Sequence, residues 1–195
     1  MVNEAWQDNA AALRTSVFQQ QLGDAFIDEA FIAARAADPD AKLYYNDYGT
    51  EGTSRKANAV FTMVQGMLER GVPIDGVGMQ MHVNNGGGPT AEQFATNMQR
   101  LVDLGLEVNV SELDISTCGT GSVDERLAAQ AERAHGLVQA CVNQPGCDFI
   151  TVWGVADQYS WRRNDCEGGA LPLLFDASYQ KKPAYTGVFD ALLGR

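Results

Sequence analysis

Two acids, Glu112 and Asp114, stand two residues apart in the stretch EVNVSELDIS (107–116), whose apolar and polar residues alternate as in a β-strand. Period-two geometry places both on the strand face shared with Val108 and Val110. Two carboxylates are therefore expected to point inward, where charge is costly unless it is paired or used. A structural ion pair needs a cation, yet neither 76–83 nor 107–116 contains Lys or Arg. That leaves proton transfer or nucleophilic attack as the chemistry for the pair. Gln80 and His82, also two apart in DGVGMQMHV, share one face of a second strand. An inward network of Glu112, His82 and Asp114 is the arrangement these spacings allow. Each residue alone is weak evidence, since an isolated His after an apolar strand is more often a hydrogen-bonded core residue.

The elements that must position these residues alternate in type. LRTSVFQQQLGDAFIDEAFIAARAADPD spaces Phe26, Ile27, Ala30, Phe31 and Ala34 as one amphipathic helix stopped by Asp38-Pro39. AKLYYNDYG reads as a strand, and Thr53 to Arg70 as a helix with Ala57, Val60, Phe61, Val64 and Leu68 on one face. DGVGMQMHV is the next strand, TAEQFATNMQRLVDLG a helix with Gly105 as its C-cap, and then comes 107–116. A long helix from about Val123 to Cys141, a strand CDFITVWGV and a closing helix KKPAYTGVFDALLGR complete the chain. Such alternation predicts an α/β fold of parallel strands joined by helical crossovers, in one domain over residues 1–195. Polar residues gather at the carboxyl ends of the strands: Asn46 and Asp47, Gln80 and His82, Glu112 and Asp114, then Trp153. That is the pattern of a (β/α) barrel, whose inward residues at this end face a cleft rather than sealed core. A complete barrel has eight strands in about 250 residues. Four clear strands and a vestige at MVNEA are legible here, so either part of the barrel is missing or the sheet is open and doubly wound.

Composition narrows the partners. With 195 residues, 45% of them hydrophobic and 20% charged, the chain reads as a soluble globular domain. A net charge of −11 with only 14 Lys and Arg disfavours nucleic acid. No apolar run approaches the ~18 residues of a membrane span, and MVNEAWQDN has neither the basic region nor the apolar core of a secretion signal. NNGGGP (84–89) lacks the spacing of a phosphate loop, and NDYGTEG lacks the spaced acids of an EF-hand. Of four cysteines, Cys141 and Cys147 flank a Pro-Gly turn and are placed for a local disulfide. Cys118 and Cys166 lie in Gly-rich loops, where a second bridge would tie neighbouring loops together. Nothing in their spacing resembles a zinc site, and no metal or cofactor is expected.

Six segments in order, VNEA, KLYYNDYG, PIDGVGMQMH, VNVSELDIS, ITVWGVADQYSW and PLLFDASYQKKPAY, resemble glycoside hydrolase family 10, the endo-1,4-β-xylanases. The resemblance runs through essentially the whole chain. It implies a TIM-type (β/α)8 barrel of which only the C-terminal half is present, from a remnant of the fourth strand to the eighth. By the same resemblance Glu4 is the general acid/base and Glu112 the nucleophile of a retaining hydrolysis, an arrangement that needs two carboxyl groups about 5 to 5.5 Å apart. His82 would hydrogen-bond the nucleophile, Asp114 would orient it, Asn3 would bind the sugar 2-hydroxyl with Gln80 in support, and Trp6 would help exclude water from the acid. Trp153 and Trp161 would wall the sugar cleft, with Asn46 and Tyr48 on the leaving-group side. The implied partners are xylan and xylo-oligosaccharides, and the implied location is extracellular. Exposed sheet edges of a half-barrel leave room for a homodimer, or for a non-catalytic fragment that binds sugar weakly or needs a complementary half.

Overall fold

In a computed structural model, which describes residues 2–8 and 11–195, six strands form one wholly parallel sheet. They are β1 (Val2–Asn3), β2 (Tyr44–Asp47), β3 (Gly76–Met79), β4 (His82–Asn84), β5 (Glu107–Ser116) and β6 (Cys147–Val152). β1 pairs with β2, β2 with β3, and β3 with the first part of β5. β4 continues along the second part of β5, and β6 runs along its other edge. Parallel neighbours require long returns, and helices supply them. They are α1 (Val17–Leu22), α2 (Phe26–Ala37), α3 (Arg55–Glu69), α4 (Ala91–Val102), α5 (Val123–Val142) and α6 (Pro183–Leu192).

Local chemistry sets where the helices begin. Ser54 caps α3, while Thr90 with Gln93 and Ser122 with Glu125 form reciprocal capping boxes on α4 and α5. Pro183 opens α6 at a position where its missing N–H costs nothing. Helical spacing then aims Val60, Val64 and Met67 of α3 at the sheet, followed by Phe94, Met98 and Leu101 of α4 and Leu137, Val138 and Cys141 of α5. Full burial of a Phe or Met side chain contributes about 1.5–3 kcal/mol, so Phe94 and Met98 alone anchor α4 firmly.

Two expected elements are divided. The long helix before Asp38 breaks at Gly23, whose φ of 68° ends α1 and admits a short 3-10 turn before α2. The strand read from DGVGMQMHV splits into β3 and β4 because Met81 takes a φ of 66°. Gly105, expected to cap α4, lies two residues past the capping Asp103 with a φ of 84°, and its N–H returns to Val102 O.

The strand faces also differ from simple alternation. Glu107, Asn109 and Ser111 lie on the concave side: Tyr44 Oη donates to Glu107, and Ser111 Oγ donates to Asn46 Oδ1 at 2.6 Å. Val108 and Val110 therefore point the opposite way, into the apolar core beneath the helices. Val110 pairs with Ile150 and Leu113 with Val152, so β5 carries one more residue than β6 across this interval. This bulge turns Glu112 to the concave side together with its neighbour Ser111. The expected register, in which Glu112 and Asp114 share a face with Val108 and Val110, is thus corrected. Gly78 leaves the space this face needs, since a methyl group there would overlap Asn46 Oδ1.

The expected disulfide Cys141–Cys147 forms across the α5–β6 turn, and the pairing that spacing left open, Cys118–Cys166, forms as well, between the loops that follow β5 and β6. The sequence separations are 6 and 48 residues. By loop-closure entropy the longer bridge contributes about 4 kcal/mol and the shorter about 2. Replacing Cys118 and Cys166 by Ala should therefore lower the urea midpoint more than replacing Cys141 and Cys147, and the reverse order would contradict the estimate.

Candidate active site

The carboxyl ends of the strands open on a cleft of ≈ 910 Å³. It receives Glu4 and Asn3 from β1 and its end, Asn46 from β2 and Tyr48 just past it, Gln80 from the β3–β4 break, His82 from the start of β4, and Glu112 from β5. Trp153 and Trp161, from the loop after β6, complete it with Arg162 and Asp165. Strand register explains the convergence, because Asn3, Asn46, Gly78 and Asn109 form one row across four strands.

Glu4 and Glu112 are linked through amides. Gln80 Nε2 donates to Glu4 Oε1 at 3.0 Å and to Asn3 Oδ1 at 3.2 Å. Asn46 Nδ2 donates to Asn3 Oδ1 at 2.8 Å and to Glu112 Oε1 at 2.9 Å. The second carboxyl oxygen of Glu4 lies 3.9 Å from Arg14 Nη1. Glu4 has a φ of 55°, a left-handed conformation that costs a non-glycine residue about 1–3 kcal/mol and survives only where neighbours impose it. Met81, one residue before His82, carries the same kind of strain, and the buried Glu51 accepts its N–H at 2.9 Å. Burial raises the Glu51 carboxyl above its ordinary value.

The other oxygen of Glu112 faces His82 Nε2 at 3.2 Å, while His82 Nδ1 meets Asp114 Oδ2 at 2.9 Å. A carboxylate only accepts, so both contacts are hydrogen bonds when the ring is an imidazolium. Burial alone would push the His82 pKa down, but hydrogen bonds and charge from Asp114 and Glu112 outweigh it and hold the ring above its usual range. Asp114 is itself 1% exposed and also accepts from Trp161 Nε1 and Arg162 Nη1, each at 2.9 Å. Arg162, 7% exposed, spends its remaining donors on Val83 O, Asn84 Oδ1 and Asp165 Oδ2.

Asp114 thus has the basic partner that its own strand and its neighbour do not provide: Arg162 arrives from the loop after β6. Removing Arg162 would leave Asp114 Oδ1 without its guanidinium while Oδ2 keeps the His82 and Trp161 donors. Asp47, expected at the cleft beside Asn46, instead points to the helix layer, where Lys56 Nζ pairs with it at 2.7 Å and both are buried. Trp6 donates to Met63 Sδ and packs against the core, outside the residues that line the cleft. Tyr48 reaches the cleft, but its hydroxyl is engaged by Asp8 and Arg14. Asn46 spends its amide on Asn3, Ser111 and Glu112. Sequence reasoning missed Arg162, Ser111 and Glu51; the WR pair after the last strand is the one local signal for the first. The two indoles stand 47% and 64% exposed, with ring centroids 6.4 Å (Trp153) and 5.1 Å (Trp161) from His82. Beyond β1 a second cavity of ≈ 630 Å³, walled by Val2, Phe18, Leu22 and Phe26, also touches Asn3 and Glu4.

Residues 1–191 match the family described as Glycosyl hydrolase family 10. Endo-1,4-beta-xylanase B of Thermotoga neapolitana is 38% identical over 98% of this chain, which covers 55% of that protein. Among solved structures, native xylanase 10B of Thermotoga maritima superposes with a TM-score of 0.93 at 37% identity, over 99% of this chain and 59% of that one. Xylanase 10B of Thermotoga petrophila, in complex with xylobiose, gives the same TM-score and identity, with 99% and 58% covered. The chain spans little more than half the length of these relatives, whose barrel architecture its sheet and helices share.

The His82 contacts predict a pH-dependent stability. A group whose pKa is higher folded than unfolded contributes fully below its unfolded value of about 6.5 and loses that contribution as pH rises through its folded value. His82→Asn should therefore cost most stability near about pH 5.5 and progressively less on the alkaline side of the folded imidazole titration. A urea-midpoint difference independent of pH would show that His82 carries no such linkage.

Proposed function

Because the chain belongs to glycosyl hydrolase family 10, we propose that Glu4 and Glu112 are the acid/base and the nucleophile of a retaining endo-1,4-β-xylanase. The observation that carries the reading is the hydrogen-bonded run from Glu4 through Gln80, Asn3 and Asn46 to Glu112, beside two exposed indoles. In the first step a Glu112 oxygen attacks the anomeric carbon while Glu4 gives its proton to the departing glycosidic oxygen, so that one C–O bond forms as the other breaks. In the second, Glu4 takes a proton from water, which attacks the same carbon and releases Glu112. Asn46 and His82 hold the two Glu112 carboxyl oxygens aimed before attack. Asn3 Oδ1 accepts from both Asn46 and Gln80, which turns its amide N–H groups toward a sugar hydroxyl. Trp161, fixed through its indole N–H on Asp114, and Trp153 offer flat faces to xylose rings. The substrates are xylan and xylo-oligosaccharides, and the two disulfides suit an oxidising, extracellular setting.

A second reading has one observation in its favour: among the described residues β1 pairs only with β2 and β6 only with β5, which leaves two sheet edges. Turnover would then require a complementary half or a second copy, and the chain alone would only bind sugar. A mechanism-based probe separates the readings. Incubation with 2,4-dinitrophenyl 2-deoxy-2-fluoro-β-xylobioside should add one glycosyl group to the peptide bearing Glu112, and Glu112→Ala should lose the adduct and roughly 10⁴-fold or more of the activity. Xylobiose binding without an adduct supports the second reading. Neither adduct nor binding removes both.

A further inference from the structure

Glu4 lies at the end of a two-residue strand with a single neighbour among the described residues, yet it keeps a left-handed backbone. Two contacts impose that conformation. Its own N–H donates to Asn46 O at 2.9 Å, and the N–H of the next residue, Ala5, donates to Tyr45 Oη at 3.0 Å. The Tyr45 hydroxyl in turn donates to Asp47 Oδ2 at 2.6 Å, and Asp47 is held by Lys56 Nζ at 2.7 Å, beneath the Tyr48 ring. Tyr45, Asp47, Lys56 and Ala5 are all buried on the helix side of the sheet, so none of them meets substrate. A buried carboxylate compelled to accept orients the phenol, and the phenol oxygen then has a lone pair fixed on the Ala5 N–H.

Resting on the assignment of Glu4 as acid/base, we propose that Tyr45, backed by Asp47 and Lys56, is the positioning residue that sets the backbone turn presenting the Glu4 carboxyl to the glycosidic oxygen. The Asp47–Lys56 pair, displaced from the cleft, thereby acts on the reaction through the main chain.

The test exploits the leaving group. An acid matters when the departing oxygen is poorly stabilised and matters little for dinitrophenolate. In Tyr45→Phe, kcat/KM for phenyl β-xylobioside should fall about 10- to 100-fold, while that for the 2,4-dinitrophenyl glycoside stays within about 2-fold. The kcat for the dinitrophenyl substrate should fall, because water attack still needs Glu4 as base, and azide, which needs no base, should restore it. Equal losses on both substrates would overturn the proposal, as a general loss of structure predicts them. Should Tyr45→Phe not fold, Asp47→Asn keeps an oxygen for the Tyr45 O–H and should give the same selective loss at smaller size; equal losses there overturn the proposal as well. A wild-type chain inert toward both glycosides would count against the hydrolase reading itself. Positioning is then read by nuclear magnetic resonance: faster Ala5 amide exchange and a moved Glu4 carboxyl signal in the variant support it, and unchanged values overturn it.

Discussion

The extra residue that β5 carries opposite β6 decides which way Glu112 faces. Without it, the alternation that seats Val108 and Val110 under the helices would carry Glu112 there too, into apolar surroundings with no cation of its own. With it, Ser111 and Glu112 both reach Asn46 on the concave side, and Leu113 and Ile115 resume the apolar face beyond. An interrupted ladder is the local cost, and the β3–β4 break at Met81 takes up the matching irregularity on the neighbouring strand.

Charge is then settled in two buried centres on opposite sides of the sheet. On the cleft side Asp114 gathers an imidazole, an indole and a guanidinium. On the helix side Asp47 gathers a phenol and an ammonium group. Buried ion pairs contribute little net stability once desolvation is counted, so their value here is geometric. The first fixes His82 behind Glu112, and the second holds the chain just past Glu4. The Cys118–Cys166 bridge secures the loop that brings Trp161 and Arg162 to the first centre.

Alternation of strands and helices was legible because caps, Gly-Pro punctuation and helical spacing are local signals. The cleft residues were legible as well: Asn3, Glu4, Gln80, His82, Glu112 and the two tryptophans meet as their motifs suggested. What escaped was non-local or irregular. A bulge leaves no trace in composition, so strict alternation joins Glu112 to the face of Val108 and Val110, although it is the opposite face that meets the cleft. Arg162 is 48 residues from Asp114 in the chain, and no spacing rule joins them. Asp47 shares its motif with Asn46, and only strand geometry separates a residue that faces the cleft from one that faces a helix. The α1–α2 break turned on one glycine whose backbone freedom outweighed a continuous apolar stripe.

Asn46 touches Asn3, Ser111 and Glu112 with a single amide group, and Gly78 keeps the room in which it does so. Substitutions among these positions cannot be independent: the effect of changing one is conditional on what occupies the others, and their energies will not add. Drift in this row is consequently epistatic, with each viable path passing through compensated pairs rather than single replacements. Divergence is freer at the cleft rim, where Trp153 stands half-exposed.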